Sequence, residues 1–268
     1  MIHPTAIVHP GARLHPTVRV GPYTVIDEHV EVGEACVLGP QVYLTGHTTI
    51  GASNRFHAGA VIGDAPQDLK YKDEPTRLRI GESNTFREHV TVHRSNKLTE
   101  DTVIGSHGLF MAGSHVGHNC LIGDHVILAN AVLLAGHVTV SDRAFISGMG
   151  GVHQFCRVGT LSIMQGGAIA TVDVPPFCIA HQVNLLCGLN IIGLRRAGIS
   201  SADRLELKQL YRLLFRSGLA RKQALAEAET RFKSASARTL IEFAATTKRG
   251  LCSDTSTSST VDEGRESH

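Results

Sequence analysis

Tryptophan is absent from this 268-residue chain, and aromatic residues make up only 5% of it. Large rings supply much of the buried area of an ordinary core, so their scarcity suits a core too narrow to hold them. No basic start followed by an apolar run precedes the body of the chain. The opening MIHPTAIVHPG is therefore not read as a signal peptide. No window approaches the roughly 18 apolar residues of a membrane span. Net charge is only +2, so the chain as a whole makes no demand for nucleic acid. No serine elbow, Walker loop or dinucleotide motif appears. The six cysteines do not form a disulfide framework. A reducing cytoplasm is the expected location.

What the chain does have is a six-residue beat. Ile2, Val8, Leu14, Val20, Ile26, Val32, Leu38, Leu44, Ile50, Phe56 and Ile62 fall on it. It breaks at Asp68 and Glu74, then resumes in the same register from Ile80 through Leu98 and Ile104 to Met164. Neither a helix nor a flat sheet has that period. Three hexads make one turn of a triangular coil, with every sixth side chain stacked inward on the coil below. The position four residues after each aliphatic is mostly small, as at Ala12, Cys36, Ala60, Ser114, Cys120 and Cys156, and glycine often follows the aliphatic directly. The competing fold is a β-sandwich of many short strands.

The predicted organisation is a hexapeptide-repeat β-helix over 1–188, a helical domain over 189–252 and a disordered tail over 253–268. Residues 64–79 leave the beat with two prolines and eight charges, and read as a loop projecting from the solenoid. Projecting loops on rigid scaffolds often bind substrate. The excursion from Ile62 to Ile80 equals one full coil by count. The polar stretch 93–102 is expected to bulge slightly. The beat ends near Met164, and 173–188 reads as the crossing out of the solenoid. Helices are expected from Ser200 or Ser201 to Gly218, over about 220–233 and over about 238–248. Leu207, Leu210, Tyr211 and Leu214 share one face of the first. Between 190 and 250 there are thirteen Lys or Arg against five Asp or Glu, which suits an acidic partner protein or a phosphorylated small molecule. Outward apolar residues such as Leu109, Met111, Leu133, Met149, Phe155 and Ile163 call for a neighbouring prism, and a closed trimer is expected.

The segments MAGSHVGHNC (111–120), LLAGHV (133–138) and GGVHQFC (150–156) carry the candidate chemistry. His118 and His137 are nineteen residues apart, which puts them on neighbouring rungs of one face, roughly 5 Å apart. Imidazoles grouped in this way suit proton transfer near neutral pH. His115 and His118 diverge on a six-residue wall and form no closed ligand set, so a metal is not expected. His3, His9, His15 and His57 recur with the coil and read as wall or corner residues.

Seven stretches together carry a family resemblance: IGDAPQDLKY with EPTR, IGESNTFREHVTVHR, HVGHNC, ILANAVLLAGHV, GVHQFC, DVPPF and LNIIGLRR. They resemble the bacterial acyl-[acyl-carrier-protein]–UDP-N-acetylglucosamine O-acyltransferases, which act first in lipid A synthesis, from residue 1 to about 250. The resemblance implies a left-handed parallel β-helix with a C-terminal helical domain, assembled as a homotrimer. It implies transfer of a 3-hydroxyacyl group from acyl carrier protein to the glucosamine 3-hydroxyl of UDP-N-acetylglucosamine, with no covalent enzyme intermediate and no cofactor. His118 matches the general base, and Gly136 the residue whose N–H meets the oxyanion. Asp68 and Lys70 match residues that hold the nucleotide sugar. His115, His137, His153 and Gln154 match cleft residues. Arg196, with Arg195 beside it, matches the phosphate contact, and Gly166 the acyl-chain ruler.

Two positions depart from the family pattern. Asn119 stands where Asp often follows the base; its amide can orient the ring but brings no charge, and another acidic group is left to serve. Ala197 stands where a second Arg often follows the first. These changes leave open whether the acceptor is UDP-N-acetylglucosamine or its 3-amino analogue, and the acyl length is open too. The competing functions are the related N-acyltransferase of the same pathway, which normally has a domain ahead of its coils, and a non-catalytic scaffold or carrier-binding subunit.

Overall fold

The computed structural model describes residues 1–255. Ile26 pairs beside Leu44, and Leu44 beside Ile62, each eighteen residues further along the chain. This repeat builds three sheets, here called the first, second and third faces. They begin at Ile7–Val8, Arg13–Leu14 and Arg19–Val20, and hold nine, eight and eleven strands among the described residues. The result is a left-handed parallel β-helix. Most corners place one residue in the left-handed backbone region, as at Gln41 (φ 57°), Ser53 (φ 60°) and Asn119 (φ 59°). That conformation disfavours a side chain by roughly 1–2 kcal/mol. Bonds between coils offset it; the Gln41 N–H, for example, donates to Pro22 O at 2.9 Å.

The beat aliphatics fill the core, and most from Val20 to Met164 are buried. Each such side chain contributes about 1.5–3 kcal/mol over leaving it in water. The small positions point inward as well: Cys36, Ala60, Cys120 and Cys156 have no exposed area. Burial pushes the Cys120 thiol up to about 12, so it packs as an inert apolar group. The glycine after the aliphatic serves close approach. A Cβ at Gly51 would stand 2.6 Å from Gly81 O on the next coil.

Several expectations are corrected. Large rings do fit: Phe56, Phe86 and Phe110 stack on successive coils of the third face, at 4.8 and 4.6 Å between centroids. The excursion after Ile62 projects from the wall as expected, and although its count equals one coil it adds none. It runs from Val61–Asp64 on the first face straight to Arg77–Ile80 on the second. Leu98 is not a core residue and is 56% exposed. The chain leaves the wall after Thr91–His93 and returns at Thr102–Ile104, so six extra residues sit where the beat had seemed to continue. Both excursions leave the prism at one corner, between the first and second faces, on consecutive coils.

The coil also continues past Met164. Ile169–Ala170 joins the first face, Val174 bridges to Val158, and Cys178–His181 pairs with Ile163–Met164. Leu185–Leu189 folds back antiparallel on it. Four helices follow among the described residues: α1 (Ile191–Arg196), α2 (Ser201–Arg216), α3 (Arg221–Arg231) and α4 (Ala235–Ala245). Ser200 caps α2, as expected, by accepting from Asp203 N. The buried side of α2 holds Leu207, Leu210, Tyr211 and Leu213, with Leu214 only partly covered. α1 was not foreseen. Buried Asp173 fastens the helices to the last coil. It pairs with Arg157 at 2.8 Å and accepts from Thr247 Oγ1, while Arg157 donates to Phe243 O and stacks on that ring. Ser253–Asp254, expected to lie in the disordered tail, instead form a strand beside Leu185 and Leu186. The rest of the tail, from 256, lies outside the described residues.

Candidate active site

The corner that releases both excursions also carries the expected histidines. His118 and Asn119 follow His115–Val116 on it. Gly136 and His137 follow Leu133–Leu134 one coil on, and His153, Gln154 and Phe155 follow Gly151–Val152 after that. The His118 and His137 rings meet edge to face, 5.2 Å between centroids. His137 stacks on Phe155 at 4.6 Å.

Asn119 is the hub of this corner. Its Oδ1 accepts from the backbone N–H of Asn96 at 3.0 Å and lies 2.9 Å from His118 Nδ1. An atom that accepts from a backbone N–H is the amide oxygen, so His118 Nδ1 must carry its proton there. Nε2 is left with a free lone pair. Asn119 Nδ2 donates to Ser95 Oγ at 2.7 Å and to Glu100 Oε2 at 3.1 Å. Its backbone N–H donates to Thr102 Oγ1. Both polar side-chain atoms of a residue only 5% exposed are thereby paired.

Gly136 lies against the imidazole. A Cβ there would stand 2.6 Å from both Cε1 and Nε2 of His118. The ring can occupy its place only because residue 136 has no side chain.

Three neighbouring imidazoles have a lowered affinity for a proton. Burial pushes His93 down to about 4. Burial, and then the nearness of His118, lowers His115 and His137. His115 Nδ1 lies 2.7 Å from Thr91 Oγ1, and its ring meets His93 edge-on at 4.9 Å. Among the described residues, no group of three His, Cys, Asp or Glu could hold a metal ion.

The projecting loop reaches the same place. Asp68 Oδ2 accepts from Asn96 Nδ2 at 2.8 Å, and Oδ1 accepts from Lys70 N at 3.0 Å. The Lys70 backbone N–H, then the Asn96 amide, hold this carboxyl below its usual range. Arg94 pins the loop by donating to Tyr71 OH at 3.0 Å and to Gly63 O at 2.9 Å. At the far end of the corner, Arg249 lies 3.2 Å from His153 Nδ1.

Three expected residues lie elsewhere in the single chain. Arg195 and Arg196 end α1. Arg196 lines a groove of about 830 Å3 on the third face with Ile127, Phe145, Leu161, Ile163 and Asn190. That face is opposite the histidine corner. Gly166 sits at the corner between the third and first faces, where an added Cβ would meet only Gly148 O at 3.7 Å. The sequence reading missed Ser95, Asn96, Glu100 and Thr102, the residues that surround Asn119. Their signal was the polar run 93–102, concealed by Leu98 falling on the beat.

A family described as UDP N-acetylglucosamine O-acyltransferase, domain 2, matches residues 173–252. A curated acyl-[acyl-carrier-protein]–UDP-N-acetylglucosamine O-acyltransferase of Gloeothece citriformis is 48% identical over 230 residues, covering 85% of this chain and 83% of its own. One of the same name from Synechocystis is 48% identical over 84% and 82%. The solved UDP-N-acetylglucosamine acyltransferase of Francisella novicida superposes over all of both chains with a TM-score of 0.93 at 34% identity. The Arabidopsis enzyme of that name gives 0.85 at 34%, over 94% of this chain and all of its own.

Proposed function

The chain belongs to the acyl-[acyl-carrier-protein]–UDP-N-acetylglucosamine O-acyltransferase family, and from that premise we propose that it moves a 3-hydroxyacyl group from acyl carrier protein to the glucosamine 3-hydroxyl of UDP-N-acetylglucosamine, with His118 as general base. The observation that carries the reading is the His118 tautomer. Nδ1–H is committed to Asn119 Oδ1, so Nε2 is the basic atom, and it faces the open side of Gly136.

A sugar hydroxyl is a weak nucleophile near neutral pH, so a positioned base has a defined task. His118 Nε2 takes the 3-hydroxyl proton as that oxygen bonds to the thioester carbonyl carbon. The carbonyl oxygen gains the negative charge and meets the Gly136 N–H, which donates to no protein group among the described residues. The tetrahedral centre then collapses, the C–S bond breaks, and the imidazolium returns its proton to the leaving thiolate. No bond to the enzyme forms.

Asp68 and Lys70 hold the sugar from the loop side, and His115, His137, His153 and Gln154 line the cleft. Arg195 and Arg196 lie across the prism from His118, so their role at the phosphates requires a neighbouring protomer that sets its third face against this corner. A homotrimer provides that arrangement, and its intersubunit groove places Gly166 along the acyl chain. The basic helical region suits the acidic carrier protein. Among the described residues no helix is long and apolar enough to cross a membrane. The six free cysteines suit a reducing compartment, and the reaction is assigned to the cytoplasm.

The test is acyl transfer from purified 3-hydroxyacyl carrier protein to UDP-N-acetylglucosamine and, separately, to its 3-amino analogue. The reading expects an ester product with the hydroxyl acceptor. Turnover of the amine alone would replace the assigned acceptor.

A further inference from the structure

We propose that Glu100 supplies the negative charge for His118, acting through the Asn119 amide as a His118–Asn119–Glu100 relay. The proposal rests on His118 being the base.

The base has only a neutral partner at Nδ1, and an amide orients an imidazolium without balancing its charge. The same amide, however, ends on a carboxylate. Asn119 Nδ2 donates to Glu100 Oε2 at 3.1 Å while Oδ1 holds the ring at 2.9 Å. A carboxylate accepting at one end of an amide polarises it and makes the oxygen at the other end a stronger acceptor. The carboxylate also reaches the ring beside His118. Glu100 Oε2 lies 3.8 Å from His137 Nδ1, and that ring is in edge contact with His118.

Glu100 is held for this task. Its other oxygen accepts from Lys97 Nζ at 3.0 Å. Lys97 first, and the Asn119 amide with it, keep the carboxyl below its usual range and therefore ionised. The residue belongs to the six-residue excursion that a plain coil would lack, and the excursion is fastened to Asn119 through Ser95 and Asn96 as well.

Among the described residues, no other ionisable group near His118 shares the Asn119 amide with it. His93 and His115 on the first face, and His137 on the next coil, have their affinity for a proton lowered by burial. Asp68, on the projecting loop, feels His118, but its hydrogen bonds go to Lys70 N and Asn96. Lys97 is bound to Glu100, and Lys70 stands on the projecting loop beside Asp68.

The pairing also accounts for Asn at 119. An Asp there would set its second oxygen where Nδ2 now stands, 3.1 Å from the Glu100 carboxylate. Two carboxylates that close cannot both remain ionised cheaply. Asn119 and Glu100 are thus a matched amide–carboxylate pair, and the pair should work with its charges exchanged.

The experiment measures kcat and KM against pH for the parent, Glu100→Gln, Asn119→Asp and the double variant. Gln can still accept from Asn119, so the single change removes charge and little else. Glu100→Gln should lower kcat roughly 5–20-fold and move the acidic limb to lower pH, with KM for the nucleotide sugar within about threefold. The double variant, which places Asp against His118 and an amide at 100, should recover kcat to within about threefold of the parent, with its acidic limb at or above the parent's pH. A Glu100→Gln profile superimposable on the parent's, or a double variant no better than Glu100→Gln alone, overturns the relay. His118→Ala, run alongside, separates the two ideas. If it is inactive while Glu100→Gln is silent, only the relay fails; if it is active, the base assignment fails.

Discussion

Gly136 and His118 are in contact on adjacent coils, so close that a Cβ on Gly136 would stand 2.6 Å from His118 Nε2. The glycine's backbone thus lies against the one nitrogen of the ring left without a proton.

Gly136→Ala should therefore push the imidazole off its axis while leaving the core coil intact. Acyl transfer should fall by at least about 100-fold, in keeping with the loss of a placed base. The thermal midpoint should move by only a few degrees. A variant with parental kcat would mean that the ring tolerates displacement and that its present geometry is not the working one.

His93 gives the fold an acid-sensitive point. Its proton affinity in the fold is depressed to about 4 by burial, whereas the unfolded chain should bind a proton near the ordinary value of about 6.5. Above that value both states are neutral and the group contributes no pH dependence. Between about 6.5 and 4 the unfolded state takes up the proton first, so stability falls as pH falls and levels off below the folded value. Denaturant midpoints at pH 7 and pH 5 check this. The drop between them should be smaller in His93→Gln than in the parent. Equal drops would place the acid sensitivity elsewhere.

Much of this fold was legible because the period is rigid. An inward aliphatic every six residues fixes which side chains meet, and Ile26, Leu44 and Ile62 stack as the beat requires. What it concealed follows from the same regularity. Leu98 falls on the beat by coincidence and hid an excursion that never enters the wall. Ala170 and Val174 continue the coil with residues that differ too little from their neighbours to mark it. The histidine line was legible from its nineteen-residue spacing, and the side-by-side placing of His118 and His137 follows from the rungs. Glu100 was not, because its partner Asn119 lies nineteen residues on and is reached only through the excursion's shape. Arg196 and Gly166 could be matched by resemblance, but no spacing rule says which face of a prism meets which neighbour.

Gly166 offers a test of the intersubunit groove. An added side chain would meet nothing in its own chain closer than 3.7 Å, so it would project outward. If the acyl chain runs past it, Gly166→Met should shift preference to donors about two to four carbons shorter. Each excluded methylene forfeits about 0.8 kcal/mol. Turnover on the best short donor should stay within roughly tenfold of the parent on its own best donor. A carrier-protein donor series from C10 to C16 measures this. An unchanged preference in a folded variant would take the ruler role from Gly166 and pass it to Gln165, which is exposed beside it.

The central claim is that His118 takes the acceptor's proton, and single-turnover acyl transfer by His118→Ala tests it most directly. The side chain is only half-buried on a corner, outside the core, so the variant should fold and bind UDP-N-acetylglucosamine as the parent does. With excess enzyme and saturating acceptor, the chemical step should be at least about 100-fold slower than the parent's. A folded, acceptor-binding His118→Ala protein that transfers the acyl group at close to the parental rate would contradict the account.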